Sequence, residues 1–394
     1  MRNAFALFLT LFIFCTSFAQ TEKEIIVQCN ALVADKKYES AFGLLEEFDH
    51  ENKRVEIAIL KTELARKYFI TSMMHQMFSF KDLDVTDDVM NHRGENGTSS
   101  VFPFSANEVL ETLLKSNPKN CRLHKALADF YYDAHSKYGP NWMVSAGEMK
   151  NKMVEHYNYA AIHGCADFMT FNGLGYVAVS QKQYADAATN YKKSIELNPN
   201  YAASHYNLAY SYLYADKRPE ALKHAKKALS LYKESELKAD AARMTATIFG
   251  EMGRFDSTLY YYELCDQIQP NTYSTTKALL NLYLALDSVK GVEFSERIFA
   301  SDPDNPTVYN DLFEIYFGNK KPDLLEAFLL RKKKENESNT MTLANICFYL
   351  GEFYLGKDKV KAKEYFLLSR EKFIYVYPAD HEVFKVLNSV ISEL

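Results

Sequence analysis

Three tyrosines, Tyr206, Tyr210 and Tyr214, follow one another at intervals of four residues. On an α-helix this spacing places them in one stripe along one face. A tyrosine side chain combines a large, rigid apolar surface with one hydroxyl group, which suits recognition of a partner without covalent chemistry. The alternative is that the stripe packs between neighbouring helices as part of the core.

The common catalytic motifs are missing from the sequence, which contains no GxSxG, GxxxxGK[ST], GxGxxG or HExxH. His156 and His163 are seven residues apart and would share a helix face, but a metal site needs further ligands at suitable spacing. We therefore expect no catalytic residues, no bound metal and no cofactor, and we predict that the protein is not an enzyme.

The composition favours long helices and argues against nucleic acid as a partner. Of the 394 residues, 47% are hydrophobic, whereas only 14 are glycine and 10 are proline, too few for a turn-dense all-β fold. The formal net charge is −5, and the densest basic run, residues 331–334, is followed at once by Glu335. The concentrated basic face that nucleic-acid binding requires is therefore missing.

Residues 1–19 have the pattern of a secretory signal peptide. Arg2 supplies the positive charge, residues 4–18 are almost entirely apolar, and Ala19 ends a suitable cleavage site. Phe14 stands before Cys15 where a lipidation signal requires a small residue, so we do not expect a lipoprotein. We predict export to the periplasm or the extracellular space. No other stretch is long and apolar enough to predict a transmembrane segment.

Four prolines mark an internal repeat, because each stands in a similar segment: LLKSNPKN, SIELNPNY, CDQIQPNT and IFASDPDN. Successive prolines are 81, 71 and 33 residues apart. The last interval corresponds to one repeat of about 34 residues and the middle one to two, with the missing member at Lys233. The longest interval leaves room for an insertion. The prolines are Pro118, Pro199, Pro270 and Pro303.

Within one repeat, small residues such as Gly175 and Ala187 and large residues such as Phe171 and Tyr191 stand at fixed spacings. The unit around residues 168–199 resembles the tetratricopeptide repeat (TPR) family, whose pattern is W-x2-L-G-x2-Y, then A-x3-F, then P. The resemblance implies an all-α fold, a TPR-type right-handed solenoid of antiparallel helix pairs in which small residues let two helices approach closely. The matching residues are Phe171, Leu174, Gly175, Ala187, Tyr191 and Pro199, and Leu350, Gly351, Tyr354, Ala362, Phe366 and Pro378 repeat the pattern later.

The same pattern divides the chain into segments that match the repeat to different degrees. We expect the signal peptide at 1–19, irregular helical repeats at 20–82, a polar loop at 83–105, an irregular helical repeat at 106–166 with an insertion at 135–147, the best-matching TPR units at 167–303, degenerate TPR-like units at 304–378 and a capping helix at 379–394.

The resemblance also implies where a partner binds, since in this family the first helix of each pair lines a concave groove. Asparagines there could hold a peptide backbone, and Arg243 could hold a carboxylate. The lysines with which some family members clamp a C-terminal carboxylate are not reproduced. The predicted function is a non-enzymatic scaffold of the cell envelope or secreted space that binds a protein or peptide. The predicted binding residues are Asn172, Tyr176, Tyr206, Asn207, Tyr210, Tyr214 and Arg243.

The insertion at 135–147 suggests an alternative function. It carries Tyr138 and Trp142, the only tryptophan of the chain. The two rings could form a platform for a glycan or another small molecule, or they could fill a gap between irregular repeats.

Five cysteines remain after the predicted cleavage, and their wide spacing excludes a small disulfide scaffold or a zinc ribbon. A disulfide is chemically possible in an exported protein, but the sequence alone names no pair.

Overall fold

The computed structural model describes residues 20–95 and 100–394, so the predicted signal peptide at 1–19 lies outside the described residues. The described chain forms nineteen α-helices and one small three-stranded sheet. It divides into two compact units, Met1–Pro199 and Asn200–Leu394, which are described separately. None of the helices in the described residues is long and apolar enough to cross a membrane.

Unit 1 contains eight helices and the sheet. A capping box between Thr21 and Glu24 starts the first helix, and Asn120 and Asp167 cap two later ones. The elements are α1 (Glu22–Ala34), α2 (Tyr38–Phe48), α3 (Val55–Lys67), β1 (Thr71–Met73), β2 (Met77–Ser79), β3 (Val101–Pro103), α4 (Ala106–Ser116), α5 (Cys121–Tyr138), α6 (Ala146–Ile162), α7 (Phe168–Ser180) and α8 (Tyr184–Leu197), with short 3-10 helices at Val89–His92 and Gly139–Asn141.

Unit 2 consists of five helix pairs and a final helix. The final helix buries Phe384 and Leu387 and leaves Val386 exposed, as a helix that ends a stack should. The elements are α9 (Ala202–Tyr214), α10 (Arg218–Leu231), α11 (Ser235–Glu251), α12 (Phe255–Ile268), α13 (Tyr273–Ala285), α14 (Gly291–Ser301), α15 (Pro306–Gly318), α16 (Pro322–Glu335), α17 (Thr340–Tyr354), α18 (Lys359–Phe373) and α19 (Glu382–Glu393).

The predicted repeat cadence is confirmed by where the helices end. Each of the four repeat prolines stands two residues beyond the last residue of a helix, namely α4, α8, α12 and α14. Lys233 occupies the same position after α10, where the sequence placed the missing member. Proline suits this position because it cannot continue a helix.

The turn inside six of the helix pairs has a recurring backbone conformation. One residue with positive φ separates the first helix from the second, which begins two residues later in five of these pairs and four residues later after Asp287. A small residue lies three residues inside the second helix of four of these pairs and is buried. The positive-φ residues are Lys36, Lys182, Asp216, Gly253, Asp287 and Lys320, and the buried small residues are Ala41, Ala187, Ala221 and Thr258.

The sheet in unit 1 was not predicted. Strands β1, β2 and β3 pair antiparallel in that order. Phe78 of β2 and Phe80 just after it are buried, and the ring of Phe80 stacks on that of Phe42 in α2 at 4.6 Å between centroids. Two predictions therefore need correction: residues 20–82 are not helical throughout, and the polar loop at 83–105 contains a strand. Strands of three residues are too short to produce a clear alternation in the sequence.

Cys121 and Cys165 are joined by a disulfide, which connects the start of α5 to the segment before α7. Cys29, Cys265 and Cys347 are free and buried. The pairing resolves the question that the cysteine spacing left open.

Candidate partner-binding groove

In unit 2 the first helices of the five pairs lie side by side and form one surface, which we call the first-helix face. Side-chain hydrogen bonds connect neighbouring members of this row. Arg243 of α11 donates to Ser274 of α13 at 3.1 Å, and Tyr349 of α17 donates to Asn310 of α15 at 3.0 Å. Between them, Tyr273 and Lys277 of α13 both donate to Asp311 of α15, at 2.7 and 2.6 Å.

The predicted tyrosine stripe lies at one end of this face, on α9. Tyr206 and Tyr210 are partly buried, whereas Tyr214 is 57% exposed. The rings of Tyr210 and Tyr214 lie 4.5 Å apart, and burial together with Asp240 raises the pKa of Tyr206. Asn207 is also partly buried. The stripe therefore combines the two roles considered from the sequence, because its inner members pack between helices and its outer member is accessible.

Arg243 lies on the neighbouring helix of the same face, but its charge is already compensated. Its Nη2 donates to Asp240 one turn earlier at 2.5 Å, while Nη1 reaches Ser274. Because Asp240 and Arg243 act electrostatically on Tyr206 in opposite directions, the three groups form one local cluster. Arg243 is therefore not a free cation that could hold a partner's carboxylate by itself. The cluster instead offers an ion pair beside an aromatic ring.

A second aromatic site, which was not predicted from the sequence, lies at the other end of the face. Phe313 and Phe317 of α15 lie against Tyr349 and Phe353 of α17, with ring centroids 5.6 Å apart for Phe313 and Tyr349 and 6.1 Å for Phe317 and Phe353. Phe313, Phe317 and Tyr349 line an open pocket of about 440 Å³, and Phe317 is 46% exposed. Each aromatic pair is spaced i, i+4 on a first helix, so the criterion that selected the tyrosine stripe would have found it.

Two carboxylates give this aromatic pocket a negative character. Glu314 and Glu352 line it, and within the described residues neither has a cationic group within 4 Å. Partial burial raises the pKa of Glu352. Lys357 lies on the ring of Phe353, 3.7 Å from its centroid. The pocket thus presents aromatic faces and acidic groups together, an arrangement that favours an organic cation such as a lysine or arginine side chain.

Two predicted groove residues belong to unit 1 and are placed differently. The side chain of Asn172 is fully buried and donates to the hydroxyl of Tyr132 at 3.2 Å, so it cannot contact a partner. Tyr176 is partly buried, and its hydroxyl lies 2.9 Å from Nδ1 of His135. The assignment of Asn172 is wrong because the long helix α5 covers that side of α7.

The alternative ligand platform is not supported by the position of its tryptophan. Trp142 is only 6% exposed, packs against Phe130 and Tyr131, and donates its indole N–H to the carbonyl of Met74 at 2.7 Å. Tyr138 is partly buried. A ring whose faces and donor are used internally cannot stack on a ligand, so these residues fill a gap in the fold.

The two histidines considered as metal ligands do not converge. His156 is buried with its Nδ1 2.9 Å from Nδ1 of His124, whereas His163 stacks on Tyr159. In the described part of the chain, histidine, cysteine and carboxylate side chains form no group of three that could hold a metal ion.

Comparison with known proteins gives a family match over part of the chain. The TPR repeat family matches residues 175–214. No curated protein sequence matches the chain. Among solved structures, the chain is similar to MamA (18% identity, 42% of this chain and 86% of that chain, TM-score 0.36), to pilF of Pseudomonas aeruginosa (17%, 52% and 87%, 0.42) and to YrrB, a TPR protein with an unusual peptide-binding site (15%, 58% and 94%, 0.34). The helix pairs and the repeat match together give this chain an all-α, TPR-like fold.

Proposed function

We propose that this protein is an exported, non-enzymatic scaffold that binds a protein or peptide on the first-helix face of unit 2. Recognition uses shape, aromatic contact and local charge, and no covalent bond is made or broken. TPR-type helix pairs are typical of proteins that bind other proteins, and repeat arrays present extended surfaces for this purpose.

The observation that carries the proposal is the accessible aromatic surface at both ends of this face. Tyr214 on α9 and Phe317 on α15 are exposed although both are large, and each lies beside other aromatic rings. Between these ends, the face carries polar groups such as Arg243 and Lys277, whose charges are matched within the protein. Aromatic anchors within a polar surround are typical of protein interfaces.

The acidic aromatic pocket between α15 and α17 indicates the chemistry of one anchor on the partner. A lysine or arginine side chain would place its charge near Glu314 and Glu352 and its aliphatic stem against Phe313 and Phe317. We therefore expect the partner to carry a basic residue at the position that reaches α15 and α17.

Two features support export. Residues 1–19 have the composition of a secretory signal peptide. The disulfide between Cys121 and Cys165 is of the kind that persists in oxidising compartments such as the periplasm or the extracellular space.

The proposal is tested by selecting binding peptides from a random library against the full chain and measuring their affinity for point variants. Tyr214→Ala and Phe317→Ala should each weaken the selected peptides at least tenfold. Tyr260→Ala is the matched control, because Tyr260 is 59% exposed but lies on the second helix α12. Selected peptides that bind all three variants as tightly as the wild type would contradict the assignment of the first-helix face.

A further inference from the structure

Unit 1 contains a cavity that the proposed function does not use. Its volume is about 630 Å³, and it lies between the end of α3, the β1–β2 hairpin and the last turns of α5. Cavities of this size accommodate small organic molecules. Its lining includes Arg66, Phe69, His75, Arg93, Asp133 and Lys137.

The cavity contains more positive than negative charge. Arg66 is compensated, since its Nε donates to Asp133 at 2.6 Å and its Nη1 to Asp129 at 2.9 Å. Among the described residues, Arg93 and Lys137 have no carboxylate within 4 Å. Within the described part of the chain, Asp133 is the one carboxylate of the lining and is bound to Arg66, so Arg93 and Lys137 line the cavity without an ion-pair partner of their own. This is unusual because close like charges repel each other.

The guanidinium of Arg93 is held in place but is not fully hydrogen-bonded. Its carbon lies 3.4 Å from the centre of the Phe69 ring, and one Nη2 hydrogen is donated to the carbonyl of Lys67 at 2.9 Å. Its Nε is buried without a hydrogen-bond partner in the described structure. Buried donors are nearly always paired, so an unpaired one indicates a missing acceptor. Burial accordingly lowers the pKa of Arg93.

His75 lines the same cavity as Arg66, Arg93 and Lys137. It is 2% exposed, and burial together with Lys137, Arg66 and Arg93 lowers its pKa to about 3. The ring is thus neutral at physiological pH, with its Nδ1 3.0 Å from the hydroxyl of Ser72. His75 therefore adds no positive charge to the cavity.

The hairpin that carries His75 is held in an uncommon conformation. Met74 and His75 both have positive φ, 50° and 53°, which non-glycine residues rarely adopt. The indole N–H of Trp142 donates to the carbonyl of Met74 and so holds the turn in place. Positive φ at two successive residues is what a tight β-hairpin turn requires.

We propose that this cavity binds an oxyanion, the carboxylate or phosphate group of a small organic molecule, with Arg93 and Lys137 supplying the charge. Guanidinium groups bind both kinds of oxyanion through paired N–H donors, and an ammonium adds a point charge. Phe69, Ile70 and Met90 give the cavity an apolar side for the body of the ligand.

The test is titration calorimetry of the full chain with inorganic phosphate and with benzoate at constant ionic strength. Saturable binding of phosphate, of benzoate or of both is expected, and the preference shows whether a phosphate or a carboxylate on an apolar body fits better. Arg93→Gln and Lys137→Gln should each weaken binding at least tenfold, whereas Lys119→Gln, at an exposed position, should not. Absence of saturable binding of both anions, or equal affinities in all variants, would overturn the proposal.

A second measurement needs no variant and therefore does not depend on whether a substituted chain folds. The ring signals of His75 in the wild type, followed by NMR at neutral pH during a titration with the better-binding anion, should shift as the anion binds beside the ring. Ring signals of His75 that stay unchanged at saturating anion would place the binding elsewhere and refute the assignment of this cavity.

Discussion

Gly175 of α7 faces the ring of Tyr191 in α8 so closely that a Cβ atom built on the glycine would stand 2.7 Å from Cε1 of the tyrosine. Gly351 and Phe366 repeat this relationship between α17 and α18, where a Cβ atom would stand 2.6 Å from the ring. In both pairs, the absence of a side chain on the first helix lets a large ring of the second helix lie against its backbone. This small-to-large contact is the packing rule that the repeat pattern encodes.

Gly175→Ala should therefore destabilise the protein by about 1–3 kcal/mol, since the added methyl group overpacks a closed contact. Gly43→Ala is the control: Gly43 lies inside α2, and a Cβ atom added there would meet no atom within 4 Å, so the higher helix propensity of alanine should stabilise the protein by up to about 1 kcal/mol. Urea unfolding followed by circular dichroism measures both. A Gly175→Ala protein with the same unfolding free energy as the wild type would show that the contact is not tight.

Removing the disulfide should destabilise unit 1. The bond closes a loop between residues 44 positions apart, for which a loss of about 2–4 kcal/mol is typical. A reducing agent should lower the Tm of the wild type but leave that of the Cys121→Ser/Cys165→Ser double variant unchanged. Peptide mapping without reduction should recover Cys121 linked to Cys165; recovery of both as free thiols from protein purified without reducing agent would disprove the pairing.

Acid should weaken unit 1 partly through His156. Burial, with His124 and Lys152 nearby, lowers the pKa of His156 to about 4 from an ordinary value of 6.5. Between these values the unfolded chain binds the proton and the folded chain does not, so stability falls as the pH is lowered from 6.5 to 4. Each pH unit corresponds to about 1.4 kcal/mol, giving a loss on the order of 3 kcal/mol from this group.

His156→Gln keeps a polar side chain at this position but removes the titration. We expect the urea midpoint of this variant to fall less than that of the wild type between pH 6.5 and 4.5. Parallel pH dependence in the two proteins would show that His156 is not responsible.

Binding of a basic peptide to the pocket between α15 and α17 should also depend on pH. Burial raises the pKa of Glu352, so lowering the pH neutralises this carboxylate before ordinary glutamates and removes part of the attraction for a cation. Affinity should decrease in mildly acidic solution for the wild type. Glu352→Gln should bind more weakly at neutral pH and lose this part of the pH dependence, as fluorescence anisotropy would detect; an unchanged pH profile would argue against a cationic anchor.

The sequence predicted the features that depend on local order along the chain. Pro199 and Pro270 end repeats where expected, and Gly175 meets Tyr191 as the small-to-large pattern requires. Such features follow from residues that are close in sequence or belong to one helix pair, and a single repeat is enough to reveal them.

Features that depend on distant residues were not predictable in the same way. Cys121 meets Cys165 only after α5 and α6 have folded back on each other, and Arg93 reaches Phe69 through a hairpin whose strands are three residues long. Asn172 was placed in the groove because helical spacing alone does not show which side of α7 is covered by α5. The pocket at Phe317, in contrast, followed a spacing rule that the sequence already displayed.

The central claim, that partners bind the first-helix face of unit 2, is tested most directly by site-specific photo-crosslinking. Benzoylphenylalanine replaces Tyr214 or Phe317 on the first-helix face, or Phe255 or Tyr260 on the second helix α12, all of which are exposed. With a bound peptide selected against the wild type, crosslinks should form from positions 214 and 317 and not from 255 and 260. Crosslinks from α12 alone would contradict binding on the first-helix face.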